Sequence, residues 1–491
     1  MNVHAPSIGK QGDRPLEAAS LIAGAFVKGA NGVERRNPSD TRELVSIAFH
    51  AAAGDVDGAV AAARAAFPGW ARLTPQARAD MLDRIAALVQ ARHQELATLL
   101  AREEGKTLPE ARAETTKTAQ LFRFYAGEAV RLGGRHVRSL RDGIDVDVVR
   151  EPRGVVALVT PWNFPISIPA WKLAPALAYG NCAILKPSEL TSGCAQKLAE
   201  IMVEAGLPEG VFQMLLGRGD IGGALVAHRG IDLVSFTGSS ATGHAISRLV
   251  EGRQAQLQLE LGGKNPLIVL ADADIEAALD AAVKGAFYST GQRCTASSRI
   301  IVEDAIADRF IAMLTARVKI LEIGHALLAS SQIGPLVSEH QLGGVQASIA
   351  KAQADGSELV CGGEALERAT PGHFMAPALF VDSRPDAFVN RHEVFGPVAS
   401  VIRASGIEEA IALANDTPYG LSAGIYTASH AAITAFKRSS TAGMLMVNLQ
   451  TVGTDYHVPF GGNGESGYGP REMGSEVASF FTRSRTIYTA G

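Results

Sequence analysis

The chain has 491 residues, enough for about two to four domains, and its 47% hydrophobic and 20% charged residues are typical of a globular protein. The net charge of −4 gives no basic excess, which argues against a nucleic-acid partner, and no apolar run approaches the ~20 residues of a membrane-spanning helix. The N-terminal residues MNVHAPSIGKQGDRP lack the apolar core of a signal peptide, so we expect a cytoplasmic protein.

The first predicted elements are helices. Thr74 and Pro75 suit an N-cap and a first helical turn, and apolar residues at helical spacing predict one long helix over 74–103. A second helix is predicted over 109–131. Residues 143–149 then alternate apolar and acidic side chains, which indicates a strand with one solvated face, either projecting or at the edge of a sheet.

From residue 154 the pattern changes to short apolar runs that end in turn residues. Four such runs are predicted strands: GVVALVTP, NCAILKP, VFQMLL and IDLVSFTG. The segments 191–205 and 220–228 between them have the pattern of helices. Strands that alternate with helices predict a doubly wound parallel sheet, whose ligands bind at the carboxyl ends of the strands.

A second α/β series begins near residue 264. It contains the strand NPLIVL, a helix over 272–289 and the strand RIIVE, and a further strand, MLMVNLQ, follows residue 441. After a glycine-rich loop over 461–469, the tail SFFTRSRTIYTA is rich in aromatic and β-branched residues. This tail could pair with another subunit or form an edge strand within its own chain, and the sequence leaves both open.

Two polar side chains lie at the ends of predicted strands. In QLQLELGG the leucines take one face of a strand, and Glu260 is the last residue of the polar face before the Gly-Gly turn. Glu260 is therefore either a solvated carboxylate or a general base. In PWNFP two prolines fix the backbone around Asn163, which could cap a helix or stabilise an oxyanion through its amide.

Three other motifs could bind a dinucleotide. In LKPSE, Lys186 and Glu189 could both reach a ribose, although they could equally be surface charges. GRGDIG at 217–222 matches GxGxxG between a strand and a helix. FTGSS at 236–240 also opens a helix, whose N–H groups could hold a pyrophosphate. Spacing alone does not choose between these two loops.

Cys294 has unusual surroundings for a cysteine. Of the four cysteines, Cys182 and Cys194 lie among apolar residues typical of structural thiols, and Cys361 has no assigned role. Cys294 lies in GQRCTASSR, among small polar residues. No CxxC motif and no close histidine pair occurs, so a metal site is a weak interpretation, and Cys294 is either structural or a nucleophile.

These motifs together resemble those of one enzyme family. PWNFP, LKPSE, SFTGS, ELGGKNP, GQRC and EVFGP occur in the order and approximate spacing of the aldehyde dehydrogenase superfamily, and the resemblance covers about residues 35 to 488. It implies an α/β fold with a Rossmann-like cofactor domain, a catalytic domain and a small β oligomerisation arm, assembled as homodimers or homotetramers. The implied boundaries are 1–127 and 151–261 for the NAD-binding domain, 262–448 for the catalytic domain, and 128–150 and 449–491 for the arm and C-terminal segment.

The resemblance also implies a role for individual residues. Cys294 would attack an aldehyde and carry a thiohemiacetal and then a thioester, Asn163 would stabilise the oxyanion, and Glu260 would activate water to release a carboxylic acid. The implied cofactor is NAD, with NADP as an alternative. The family does not use its GxG segment as a phosphate loop, which discounts GRGDIG and implies that Gly217, Gly219 and Gly222 are turn and adenine-side residues. The implied cofactor contacts are Trp162, Lys186, Ser188, Glu189, Gly238, Ser239, Glu393 and Phe395, and the implied substrate contacts are Lys117, Arg293 and Thr295.

The C-terminal motifs indicate a branch of this family. DYHVPFGG followed by GPRE, and GQRCTASSR, resemble the 2,5-dioxovalerate (α-ketoglutaric semialdehyde) dehydrogenases, although the lysine that many members carry after PFGG is missing. Arg293 and Lys117 could hold the substrate carboxylate, or Arg293 could form a structural salt bridge and Lys117 could face solvent. The alternatives are succinate semialdehyde, broad specificity, transfer of the acyl group to coenzyme A, and a non-catalytic descendant of the fold.

Overall fold

The computed structural model describes residues 14–491, so most of the N-terminal stretch that was compared with a signal peptide, and the start of the proposed cofactor domain, lie outside the described residues. Within this range no helix is long and apolar enough to cross a membrane. The helices are α1 (Ala53–Arg72), α2 (Pro75–Ala91), α3 (His93–Glu103), α4 (Leu108–Arg131), α5 (Ser167–Ala178), α6 (Ser192–Glu204), α7 (Gly219–Ala227), α8 (Ser240–Val250), α9 (Ile275–Phe287), α10 (Asp304–Lys319), α11 (Glu339–Ala354), α12 (Phe388–Arg391), α13 (Ile407–Asn415), α14 (His430–Ser439) and α15 (Ala478–Phe481).

The strands form two large sheets and three small ones. In chain order they are β1 (Leu16–Ala18), β2 (Ser20–Ile22), β3 (Ala25–Val27), β4 (Gly32–Asn37), β5 (Asp40–Phe49), β6 (Arg135–Arg138), β7 (Ile144–Pro152), β8 (Val155–Val159), β9 (Cys182–Lys186), β10 (Phe212–Met214), β11 (Leu233–Thr237), β12 (Gln256–Glu260), β13 (Pro266–Val269), β14 (Arg299–Glu303), β15 (Glu358–Cys361), β16 (Ala378–Val381), β17 (Val398–Ala404), β18 (Tyr419–Gly420), β19 (Ser422–Tyr426), β20 (Met444–Val447), β21 (Asn463–Gly464), β22 (Gly467–Tyr468) and β23 (Thr482–Ala490).

The first large sheet has the strand order β22-β12-β11-β8-β9-β10-β2-β3. Its five central strands, β12 to β10, are parallel, as the alternating strands and helices predict. Every residue of β8 and β9 is buried, which explains their unbroken apolar runs. The strand order reverses between β8 and β11, and this switch point opens a ligand crevice at the carboxyl ends of the strands.

The second large sheet has the order β15-β16-β17-β14-β13-β19-β20 and is parallel except at β15. The predicted strands NPLIVL, RIIVE and MLMVNLQ are β13, β14 and β20. The loop from α9 to β14 carries Cys294. The sheet therefore places this loop next to the crevice of the first sheet, where Glu260 ends β12.

The long helix predicted over 74–103 is wrong as a single element. Thr74 does cap a helix, because its Oγ1 accepts the N–H of Ala77 at 3.2 Å. The helix α2 ends at Ala91, however, because Arg92 has φ −96° and ψ 17°, and α3 begins at His93. The helix predicted over 109–131 is confirmed as α4.

A strand was predicted over 143–149, either projecting or at a sheet edge; the strand is confirmed, and the edge alternative is wrong because it lies in the middle of a sheet. It is part of β7, which pairs antiparallel with β6 on one side and with β23 on the other. The C-terminal tail thus returns to its own chain, and β23 rather than β7 is an edge strand of this three-stranded sheet. A local alternation of residues does not show that a segment more than 300 residues later covers the second edge.

Candidate active site

The loop that carries Cys294 has a strained backbone. Ser289 and Thr290 both have left-handed conformations, with φ 53° and 57°, which cost free energy for residues other than glycine. Hydrogen bonds hold each of them: the Ser289 N–H donates to Glu110 Oε1 at 2.7 Å, and Thr290 Oγ1 donates to the Gly334 carbonyl at 3.1 Å. The loop position is therefore imposed by contacts from distant parts of the chain.

Cys294 lines a cavity, and its surroundings favour the neutral thiol over the thiolate. Burial, followed by the nearby carboxylates Glu393 and Glu260, raises the pKa of Cys294 to about 12. The backbone N–H groups of Cys294 and Thr295 act in the opposite direction by donating to the sulfur. A thiol in these surroundings becomes a nucleophile only when a base or a positive charge favours its thiolate.

Asn163 reaches the same loop from the first large sheet. Its side chain is buried, and Nδ2 donates to the carbonyl of Gln292 at 3.0 Å, two residues before Cys294. This bond uses one of the two N–H groups of the amide. The carbonyl of Asn163 in turn accepts a hydrogen bond from Lys106 Nζ at 2.7 Å. Asn163 is therefore held at both its main chain and its side chain beside the Cys294 loop.

Glu260 ends β12 as predicted, and its side chain is buried rather than solvated. Burial and the neighbouring carboxylate Glu472 hold the pKa of Glu260 well above the ordinary carboxyl range, against the opposing charges of Lys172 and Arg471. Its Oε2 has no hydrogen-bond partner within residues 14–491. A carboxylate with a raised pKa and a free oxygen suits a general base near neutral pH.

Two buried charged residues beside Glu260 were not predicted from the sequence. Lys172 Nζ forms an ion pair with Glu472 and donates to Ser235 Oγ at 2.8 Å. Their contact joins positions 300 residues apart, so no local spacing could reveal it. The available signal was Lys172 itself, the single charged residue in the otherwise apolar helix SIPAWKLAPALA.

A cavity of about 280 Å³ brings Cys294, Glu260 and the candidate substrate residues together, whereas Asn163 is not among the residues that line it. Its wall is formed by α4, by α5 and the turn before it, and by the loop over 450–454. The cavity is large enough for a small organic molecule. Five of the predicted site residues line it: Lys117, Glu260, Arg293, Cys294 and Thr295.

The two candidate substrate cations have different partners. Lys117 Nζ donates to the carbonyl and the hydroxyl of Thr454 at 2.8 and 2.9 Å and lies 5.0 Å from the centre of the Trp171 ring. Lys117 therefore lies in the cavity and does not face solvent. Arg293 Nη2 forms an ion pair with Glu110 Oε1 at 3.1 Å, which is the salt bridge that the sequence left open. The charge of Arg293 is thus compensated within the protein.

The predicted adenosine-side residues follow β9 and β11, the strands on either side of β8 in the first sheet. Lys186 Nζ lies 3.8 Å from Glu189 Oε2, and Ser188 Oγ accepts the Leu190 N–H at 3.3 Å. Gly238 and Ser239 precede α8, where Ser239 is the N-cap. The GRGDIG loop follows β10, two strands away from β8, and its Gly222 lies beside the side chain of Lys186.

A second cluster lies between the two large sheets. Glu393 Oε1 accepts the N–H of Gly263 at 3.0 Å, and burial raises the pKa of Glu393 to about 7. A Cβ atom on Gly262 would collide with the carboxylate of Glu393, so only glycine allows this close approach. The rings of Trp162 and Phe395 meet edge to face, with their centres 5.4 Å apart.

These groups fit a dinucleotide. The hydroxyls of Thr160 and Thr237, at the carboxyl ends of β8 and β11, are buried and have no protein partner among the described residues. The N-terminus of α8 suits a pyrophosphate, and the carboxylates of Glu189 and Glu393 suit the hydroxyls of two riboses. The predicted cofactor residues therefore form two clusters on either side of the switch-point crevice.

Comparisons with known proteins identify relatives that match most of the chain. The sequence model of the Aldehyde dehydrogenase family matches residues 26–487. Alpha-ketoglutaric semialdehyde dehydrogenase of Bacillus subtilis (strain 168) is 40% identical over 474 residues, which cover 96% of this chain and 97% of that protein. Betaine aldehyde dehydrogenase of Cereibacter sphaeroides (strain ATCC 17025 / ATH 2.4.3) is 39% identical over 476 residues, 97% of this chain and 95% of the relative.

A solved structure gives the same result for the fold. The crystal structure of betaine aldehyde dehydrogenase from Staphylococcus aureus in complex with NAD+ superimposes with a TM-score of 0.94 and 33% sequence identity. The superposition covers 97% of this chain and 95% of that chain. The predicted α/β fold is thereby confirmed.

Proposed function

The chain belongs to the aldehyde dehydrogenase family and is an NAD-dependent aldehyde dehydrogenase, and from this premise we propose that it oxidises a semialdehyde that carries a carboxylate. The favoured substrate is 2,5-dioxovalerate, which would give 2-oxoglutarate, with succinate semialdehyde next. The observation that carries this proposal is the cation of Lys117 in the wall of the Cys294 cavity.

The proposed mechanism uses three residues. A general base first takes the proton of the Cys294 thiol, and the resulting thiolate attacks the aldehyde carbon. Asn163 Nδ2 and the backbone N–H of Cys294 donate to the oxyanion of the thiohemiacetal. NAD, when bound, accepts the hydride that leaves this carbon. A thioester then remains on Cys294. Glu260 takes a proton from water, the resulting hydroxide attacks the thioester, and the carboxylic acid leaves as the thiolate is regenerated.

Several charges of the cavity wall are already paired. Arg293 is paired with Glu110, and Glu114 is paired with Lys106. Lys117 donates to uncharged acceptors on Thr454 and forms no ion pair among the described residues, although the carboxylates of Asp455 and Glu114 act on it from farther away. Its positive charge is therefore better placed to meet a substrate carboxylate. We therefore assign the carboxylate contact to Lys117 rather than to Arg293. The same charge would repel a cationic substrate such as betaine aldehyde, which relatives of similar identity are named for.

A panel of aldehydes tests the substrate proposal. Values of kcat/KM with NAD are compared for 2,5-dioxovalerate, succinate semialdehyde, pentanal and betaine aldehyde, and NADH formation is followed by absorbance. The proposal predicts that kcat/KM is highest for the acidic aldehydes, lower for the neutral one and lowest for the cationic one. A preference for pentanal would contradict the carboxylate contact, and a preference for betaine aldehyde would assign the chain to the second candidate activity.

We also infer roles for the cofactor clusters and the small sheet. Glu189 would accept hydrogen bonds from the adenosine ribose and repel the 2′-phosphate of NADP, and Glu393 would hold the nicotinamide ribose.

The sheet of β6, β7 and β23 would form the arm of a homodimer or homotetramer, with Ile487 and Tyr488 exposed on its edge strand. Light scattering of the purified protein measures the oligomeric state, and cell fractionation tests the cytoplasmic location. The domain boundaries stay predictions.

A further inference from the structure

Helix α4 carries two glutamates, one turn apart, that each hold a loop of the proposed active site. Glu110 Oε1 accepts hydrogen bonds from the N–H and the hydroxyl of Ser289, at 2.7 and 2.9 Å. Ser289 lies on the strained loop before Cys294. Glu114 Oε1 accepts the N–H groups of Ile166 and Ser167 at 3.0 and 3.1 Å, directly after the Asn163 loop. Residues four apart share one face of a helix, so a single rigid element spaces the two loops.

Lys106 completes the contact with the second loop. Its Nζ forms an ion pair with Glu114 Oε2, donates to the carbonyl of Asn163 at 2.7 Å and lies 4.1 Å from the centre of the Phe164 ring. The side chains of Lys106 and Glu114 are 1% and 0% exposed. A buried ion pair is stable only when its remaining hydrogen bonds are satisfied, and here the backbone of the Asn163 loop satisfies them.

We propose that Lys106, held by Glu114, is a positioning residue that fixes the amide of Asn163 against the Cys294 loop. The proposal rests on the assigned roles of Asn163 and Cys294. The side chain of Asn163 contacts the Gln292 carbonyl at 3.0 Å, and its main chain is tied to Lys106, so these two bonds determine where the amide donor points. An oxyanion donor stabilises the transition state only when it is already in place, and a shift of about 1 Å can cost up to a hundredfold in rate.

The test is a double-mutant cycle between this buried pair and Asn163. Lys106→Met is combined with Glu114→Gln, so that neither member of this ion pair stays charged without its partner. Glu104, whose Oε2 lies 4.0 Å from Lys106 Nζ, can stay neutral beside the methionine because burial raises its pKa to about 7. The rate constant of the first turnover is measured as NADH formation at saturating 2,5-dioxovalerate and NAD. We expect the pair variant to lower it about ten- to a hundredfold, and Asn163→Ala to lower it about a hundred- to a thousandfold. In the Asn163→Ala background the pair variant should cause almost no further loss.

A second measurement separates the loss of Asn163 positioning from a general disturbance of the active-site structure. Alkylation of Cys294 by iodoacetamide forms no oxyanion, so its rate should stay unchanged in the pair variant although acylation is slower. Lys351→Met is the matched control, because Lys351 also lies over a ring, that of Phe388 at 4.2 Å, but is exposed and outside the cavity wall. This control should keep the normal rate. If the pair variant does not fold, Lys106→Arg, which keeps the charge but moves its donors, enters the same cycle and should show a smaller loss that again depends on Asn163.

The outcomes distinguish this proposal from the one it rests on. Two results overturn the positioning role of Lys106 while Asn163 keeps its role. In one, the pair variant lowers the first-turnover rate constant by the same factor in the wild-type and the Asn163→Ala backgrounds; in the other, it keeps the normal rate constant. An Asn163→Ala variant with normal acylation overturns the oxyanion role of Asn163, and the positioning role falls with it.

Discussion

Replacing Lys117 by methionine is expected to remove much of the preference for acidic aldehydes. Methionine has a similar length but no charge, so the cavity keeps its volume. A hydrogen bond between charged groups contributes about 1.5–3 kcal/mol. Lys117 is partly exposed to the cavity and already spends two of its three N–H donors on Thr454, which favours the lower half of this range. We therefore expect a loss of about ten- to fortyfold in kcat/KM for the acidic aldehyde.

The assay compares kcat/KM for 2,5-dioxovalerate and for pentanal, which is neutral and has the same number of carbon atoms. The ratio of the two values should fall in Lys117→Met because only the acidic substrate loses a contact. Lys437→Met, at an exposed position on α14, is the control and should keep the wild-type ratio. A variant with both values lowered equally, or with the wild-type ratio, would refute the contact between Lys117 and the carboxylate.

The same ratio should depend on pH. Burial lowers the pKa of Lys117 to about 8, and a lysine is charged below its pKa and neutral above it. The preference for the acidic aldehyde should therefore be full near pH 7 and decline as the pH rises through about 8. Titration of Cys294 or Glu260 affects both substrates and cancels in the ratio. A ratio that stays constant from pH 7 to pH 9 would contradict this account.

Three further changes test other parts of the site. Cys294→Ser should abolish aldehyde oxidation while NAD still binds by calorimetry, because a hydroxyl is far less ionised than a thiol; retained activity would exclude Cys294 as the nucleophile. Gly461→Ala should slow thioester hydrolysis severalfold in stopped-flow traces. The added Cβ would lie 2.5 Å from Glu260 Oε1, and the backbone φ of 148° disfavours any residue other than glycine. Normal hydrolysis would show that Glu260 tolerates displacement. The wild type should have a higher kcat/KM with NAD than with NADP, and Glu189→Gln should narrow the difference; an NADP preference would contradict the role of Glu189.

The sequence predicted the parts of the fold that depend on local pattern. The apolar runs form β8, β9 and β11, and the alternating QLQLE forms β12. The sequence shows these strands because the burial of one or both faces determines the spacing of the apolar residues. One wrong prediction, the single long helix, and one rejected alternative, the edge position of β7, came from features that leave no such pattern in the sequence. The break at Arg92 falls within a continuous apolar periodicity, and the central position of β7 depends on the return of the distant tail.

In the candidate site, too, local motifs revealed some residues, whereas contacts between distant residues left no pattern in the sequence. Motifs identified Asn163, Glu260 and Cys294, since each follows a strand or lies in a turn with an unusual composition. The partners that hold and tune them could not be predicted. Glu110 contacts Arg293 over 183 residues, and Lys106 contacts the Asn163 carbonyl over 57. These contacts arise only when the packing of α4 between two loops is known.

The central claim is that Cys294 carries the acyl group of an acidic semialdehyde and that Glu260 releases it. The most direct test mixes Glu260→Gln with 2,5-dioxovalerate and NAD, follows NADH, and locates any adduct by intact and peptide mass spectrometry. The account predicts a burst of NADH followed by very slow turnover, with a 2-oxoglutaryl thioester on the peptide that contains Cys294. Normal steady-state turnover, or a burst with the acyl group on any other residue, would contradict it.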